Sequence, residues 1–92
     1  MEAEKRLHIN QLVERCQLQE AEQLLLNEQQ RSPQDDEICY LLGNLYRKQS
    51  NWKESLQWYA QAIELNPESP ATHAREMLLE IMNFYDKERY NV

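Results

Sequence analysis

The sequence predicts an all-α protein built from short antiparallel helices joined in tandem. Three observations carry that expectation. Gln, Glu, Leu, Ala, Lys and Arg fill most positions, and all favour helix. Helix-breaking residues fall in few places: Ser32-Pro33, Ser50-Asn51, Asn66-Pro67 and Pro70. The chain also matches itself at an offset of 34 residues. No stretch alternates with period two for long enough to make a strand. One Gly and three Pro are too few turn-formers for a β-sandwich or barrel.

The breakers cut the chain into five pieces of helix length. The first, about residues 3–15, carries Leu7, Ile9, Leu12 and Val13. The second, about 19–30, carries Ala21, Leu24, Leu25 and Leu26. The third follows Pro33, and its first turn holds Asp35, Asp36 and Glu37, acids that suit the positive end of a helix dipole. Ile38, Leu41, Leu42, Leu45 and Tyr46 then recur at the spacing of one amphipathic face. The fourth, about 52–65, repeats that spacing with Trp52, Leu56, Tyr59, Ala60 and Ile63. Trp52 and Trp58 read as packing or hairpin-surface residues, not as a cofactor box. The fifth starts near Pro70 and carries Ala74, Met77, Leu78, Ile81, Met82 and Tyr85. Connections this short make successive helices antiparallel neighbours.

Composition narrows the function classes. Ninety-two residues make one small domain. Sixteen acids against ten bases leave a net charge of −6, the wrong sign for wrapping nucleic-acid phosphates. The first ten residues are charged and hold no apolar run, so no secretory leader is expected there. No window approaches a membrane span, and a cytoplasmic location is expected. Cys16 and Cys39 are expected to be free thiols. They and the distant His8 and His73 do not form a zinc-ligand pattern, so no metal and no cofactor is expected. A phosphate-cradling loop needs more than the single Gly43, no Cys–His pair is adjacent, and no enzymatic activity is expected.

At the 34-residue offset, Leu7/Leu41, Asn10/Asn44, Glu20/Glu54, Gln23/Gln57 and Pro33/Pro67 are identical. Periods of this size mark stacked supersecondary units. Residues 36–69 read Cys39-x2-Leu42-Gly43-x2-Tyr46, then Ser55-x3-Tyr59, then Ala62 and Pro67. That pattern resembles a tetratricopeptide repeat, the helix–turn–helix unit with W-x2-L-G-x2-Y, A-x3-F and P. Gly43 and Ser55 are small enough for two helices to cross closely, while Leu42, Tyr46 and Tyr59 fill the space around the crossing. Residues 2–35 resemble a degenerate copy, with Ile9 in place of the glycine and Glu28 in place of a small residue. Residues 70–92 resemble the capping helix and tail that end such arrays. A one-residue insertion near Ser69-Pro70 is expected there, turning Ala74, Met77, Leu78 and Ile81 inward.

The resemblance implies a TPR-type α-α superhelix: two helix-turn-helix repeats plus a C-terminal capping helix, in the manner of short bacterial members of the family. It also implies a concave groove lined by the first helix of each repeat, holding a peptide, helix or partner subunit. Ala3, Arg6, Asn10 and Val13 on the first helix are expected to face it. So are Glu37, Tyr40, Asn44, Arg47 and Lys48 on the third, and Arg75 and Leu79 on the fifth. Of these, Arg6, Asn10, Tyr40, Asn44, Arg47, Lys48 and Arg75 are the partner-binding candidates. A clamp for a terminal carboxylate fits only in part, through Arg6, Asn10 and Arg75. The competing reading is a structural protein that self-associates as a homodimer through its last helix. There Ile81, Met82, Phe84, Tyr85 and Tyr90 crowd together, and Phe84 and Tyr85 are the residues expected to carry the contact.

Overall fold

Five α-helices follow one another: α1 (Ala3–Glu14), α2 (Leu18–Arg31), α3 (Asp36–Lys48), α4 (Trp52–Leu65) and α5 (Ala71–Tyr90). The computed structural model describes the backbone of residues 1–90 and the side chains of residues 1–84. The side chains of Tyr85 and Tyr90 therefore lie outside the described residues, and no strand occurs among those described. All five helices stand within a residue or two of their sequence-predicted places.

The punctuation has local causes. The Asp35 carboxylate caps α3, accepting from the Glu37 backbone N–H at 3.0 Å. Asn51 Oδ1 accepts from the Glu54 N–H at 3.4 Å at the start of α4. Ser69 Oγ accepts from the Ala71 N–H at 3.1 Å where α5 begins. Helices α1 and α3 end alike. Cys16 (φ 60°) and Ser50 (φ 62°) are left-handed, and they stand one repeat apart. Behind them the N–H groups of Gln17 and Asn51 donate to the carbonyls of Leu12 and Tyr46, at 2.8 and 2.9 Å. These bonds satisfy carbonyls that the helix end leaves open.

Two apolar clusters hold the helices together. The first joins Ile9 and Leu12 of α1, Ala21 and Leu25 of α2, and Ile38, Leu42 and Leu45 of α3. The second joins Cys39 of α3, Tyr59 and Ala62 of α4, and Ala71, Ala74 and Leu78 of α5. Trp58 packs against both and so couples the repeats. Each fully buried Leu or Ile contributes about 1.5–3 kcal/mol.

The two hairpins differ in closeness. In the α3–α4 hairpin Gly43 lies directly under the Tyr59 ring, and a Cβ there would collide with Tyr59 Cδ1 and Cε1. The buried Ser55 hydroxyl donates to the Gly43 carbonyl at 2.7 Å across the same crossing. In the α1–α2 hairpin Ile9 occupies the equivalent of Gly43 and is itself buried. Glu28 takes the place of a small residue, and its carboxylate accepts from Lys5 Nζ at 2.9 Å. A small apolar cleft lined by Lys5, His8, Ile9, Leu24 and Glu28 remains between these helices.

Helix α5 corrects the expected register. Ala74 and Leu78 are buried as expected, but Met77 and Ile81 are 45% and 41% exposed. Ala71 and the half-buried Met82 face the core in their stead. The caps themselves stand 34 residues apart, Asp35 before α3 and Ser69 before α5, so no inserted residue separates the repeat from α5.

Candidate functional site

The helices sort onto two sides. Arg6 of α1 reaches Glu37 of α3, and Tyr40 of α3 packs against the cluster that holds α5, so the odd-numbered helices lie side by side. On the other side an open hollow between α2 and α4 is lined by Gln29, Glu54, Gln57, Trp58 and Gln61.

The odd-numbered side carries most of the sequence candidates. Arg6 is engaged: Nε and one terminal nitrogen donate to the two Glu37 carboxylate oxygens at 2.7 and 2.8 Å. This fork geometry suits a guanidinium and a carboxylate. The hydrogen bonds to Glu37, and then its charge, raise the Arg6 pKa above its ordinary value. The Met1 amino group lies 3.1 Å from Asp35, a second tie between the start of the chain and the start of α3.

Asn44 is oriented from below. The hydroxyl of the buried Tyr59 donates to Asn44 Oδ1, so the amide turns its acceptor inward. Its Nδ2 donors have no acceptor among the described residues. Tyr40 leans on the same ring, with centroids 6.2 Å apart and planes tilted by 35°. Burial pushes the Tyr59 hydroxyl pKa up, against the opposing charge of Arg47. Asn10, one repeat before Asn44, is exposed. Lys48 is exposed and Arg47 half-buried, and neither forms an ion pair among the described residues.

Of the α5 candidates, Arg75 is half-buried, and its Nε is covered without an acceptor among the described residues. Leu79 is 46% exposed. Met77, Glu80, Ile81 and Phe84 line an open hollow on α5. Met77 and Ile81 were expected to turn inward because hydrophobicity alone does not separate them from the buried line Ala71, Ala74 and Leu78. Phe84 is 59% exposed; the Tyr85 side chain lies outside the described residues.

Among the described residues no group of three or more His, Cys, Asp or Glu is placed to hold a metal ion. None of their helices is long and apolar enough to cross a membrane. Cys39 is buried, which raises its thiol pKa, and Cys16 is exposed.

Comparison with known proteins agrees with this architecture. The tetratricopeptide repeat pattern matches residues 37–69. The solution NMR structure of Bacteroides fragilis protein BF1650 is similar over 91% of this chain and 86% of that one. The two are 45% identical, with a TM-score of 0.81. No curated protein gives a significant match.

Proposed function

Because the chain belongs to the tetratricopeptide repeat family, whose repeats generally mediate protein–protein interaction, we propose that its odd-numbered side holds a segment of a protein partner. In this reading the chain is a non-catalytic binding module of the cytoplasm. The observation that carries it is the Asn44 amide. Tyr59 holds the carbonyl oxygen inward, so the two Nδ2 hydrogens are left to donate to a partner's backbone carbonyls. Asn10 offers the same group one repeat earlier, while Tyr40 supplies an apolar face between them and α5.

Arg6 acts differently from Asn10 in this reading. Its guanidinium is already matched by Glu37, so it braces the surface and does not hold a partner's carboxylate. Arg47 and Lys48 remain for that work.

The double change Asn10→Asp, Asn44→Asp tests the proposal. Aspartate keeps the acceptor that Tyr59 needs and removes the amide donors. Capture of partners from native extract should fall at least tenfold while the helical circular dichroism stays unchanged. Capture equal to that of the parent chain would overturn the reading. Self-association through α5 is the second reading, favoured by the exposure of Phe84 and Ile81. Sedimentation at rising concentration measures it directly.

A further inference from the structure

On the even-numbered side, four polar side chains gather round one indole. Gln29 of α2 and Glu54, Gln57 and Gln61 of α4 line a single open hollow with Trp58. Glu54 stands one turn before Trp58 and Gln61 one turn after it, spacings that make their side chains neighbours on the helix surface. Part of the Trp58 ring packs against both apolar clusters, and the half-buried remainder opens into the hollow.

These polar groups are not spent within the protein. Among the described residues the Gln29, Gln57 and Gln61 side chains make no hydrogen bond. The half-buried Glu54 carboxylate forms no ion pair there. A charge drawn partly out of water calls for a partner of opposite sign. Its surroundings supply none. Arg31 and Lys53 are the only bases of α2 and α4, and neither lines the hollow. Arg31 instead lies 3.6 Å from Glu28. Burial, a hydrogen bond with Glu22 and then the charges of Glu22 and Glu54 push the neighbouring Tyr46 hydroxyl pKa up to about 12. The field between α2 and α4 is therefore negative, on a chain that carries −6 overall.

We propose that this hollow is a guanidinium site, which takes an arginine side chain from a basic segment of a protein partner. A guanidinium uses every group present. It is flat, so it lies on the indole, whose negative face attracts a cation. Its five N–H donors point outward in the plane and need only acceptors. The Glu54 carboxylate accepts a forked pair of them, and the glutamine Oε1 atoms around the ring accept others. An ammonium is a compact point charge that cannot stack and fork at once. A neutral sugar ring also stacks on an indole, but it leaves the Glu54 charge unmatched. The site lies apart from Asn10, Tyr40 and Asn44, so it stands whether or not the odd-numbered side binds.

Nuclear magnetic resonance titration of the intact, isotope-labelled chain tests this. The probes are an end-blocked Gly/Ser peptide with one central arginine, the same peptide with lysine, free arginine, and methyl glucoside. The arginine peptide should shift the Trp58 indole N–H and the side-chain amides of Gln29, Gln57 and Gln61, with a Kd of about 1 mM. The lysine peptide should bind at least threefold more weakly. Free arginine should also bind more weakly, because its own carboxylate is repelled by Glu54, and the glucoside should cause no shift. Glu54→Gln removes the charge, and Gln61→Lys puts a tethered cation into the hollow. Each should cut affinity for the arginine peptide at least fivefold while circular dichroism stays unchanged, and Asn10→Asp/Asn44→Asp should not alter it. No shift at Trp58, equal binding of the arginine and lysine peptides, or affinities unchanged in both hollow variants overturns the proposal. So does a preference for the glucoside, or for free arginine over the peptide. Loss of arginine binding in Asn10→Asp/Asn44→Asp overturns it as well, since the ligand would then sit on the other side.

Discussion

Replacing Gly43 by alanine sets two effects of opposite sign against each other. In a helix interior the change gains about 1 kcal/mol of propensity. At this crossing the new methyl collides with the Tyr59 ring, and forcing an extra carbon into a packed site costs about 1–3 kcal/mol. Tyr59 has no room to retreat, being fully buried with its hydroxyl on Asn44. Gly43→Ala should therefore lower the urea midpoint, whereas an alanine at an exposed helix position raises it. The residue scale also sets the alkaline limit. Burial, followed by a hydrogen bond with Glu22, pushes the Tyr46 hydroxyl pKa up to about 12. An unfolded tyrosine titrates near 10, so between these values the folded state holds the extra proton. The contribution is complete below about pH 10 and is lost as pH rises toward 12. Burial shifts Tyr59 in the same direction. Urea midpoints should fall across that window, and Tyr46→Phe should reduce the fall.

At the scale of the elements, the two hairpins are unequal. The α3–α4 pair closes on a glycine, a serine hydroxyl and a buried ring. The α1–α2 pair closes on Ile9 and a Lys5–Glu28 ion pair over a residual cleft. Amide hydrogen exchange should thus be faster in α1 and α2 than in α3 and α4 at neutral pH. Acid should widen the difference. The hydrogen bond and charge of Lys5 hold the Glu28 carboxyl below its ordinary pKa, a stabilisation present above the unfolded carboxylate range and lost as pH falls through the depressed value. The elements themselves were legible because Pro33 and Pro67 stop helices by their covalent geometry, Pro70 stands where one begins, and apolar periodicity needs no tertiary context. The close crossing was legible too, since only a small residue fits at position 43. Contacts between elements were not. Nothing local marks Arg6 for Glu37, 31 residues away, or Tyr59 for Asn44. The face of α5 was misjudged for a related reason. Met77, Leu78, Leu79 and Ile81 run round much of the helix, and their hydrophobicity alone does not say which line meets α4.

At the scale of the molecule, the array is elongated, 47 × 30 × 17 Å with a radius of gyration of 13.9 Å. A compact body of this length would be near 12 Å. So slender a stack is held end to end by its neighbouring contacts, and the ties between α1 and α3 join one repeat to the next. Arg6→Ala should lower thermal stability at low salt and much less at about 1 M salt, where the Debye length shrinks to about 3 Å. Scattering should give a lower thermal midpoint without a change in native radius. The bond from Tyr59 to Asn44 reaches furthest. An interior ring steers which pole of a surface amide looks outward, so sequence drift hidden in the core, such as Tyr59→Phe, would let that amide flip. The protein would keep its shape and yet exchange donor for acceptor in what it offers a visitor.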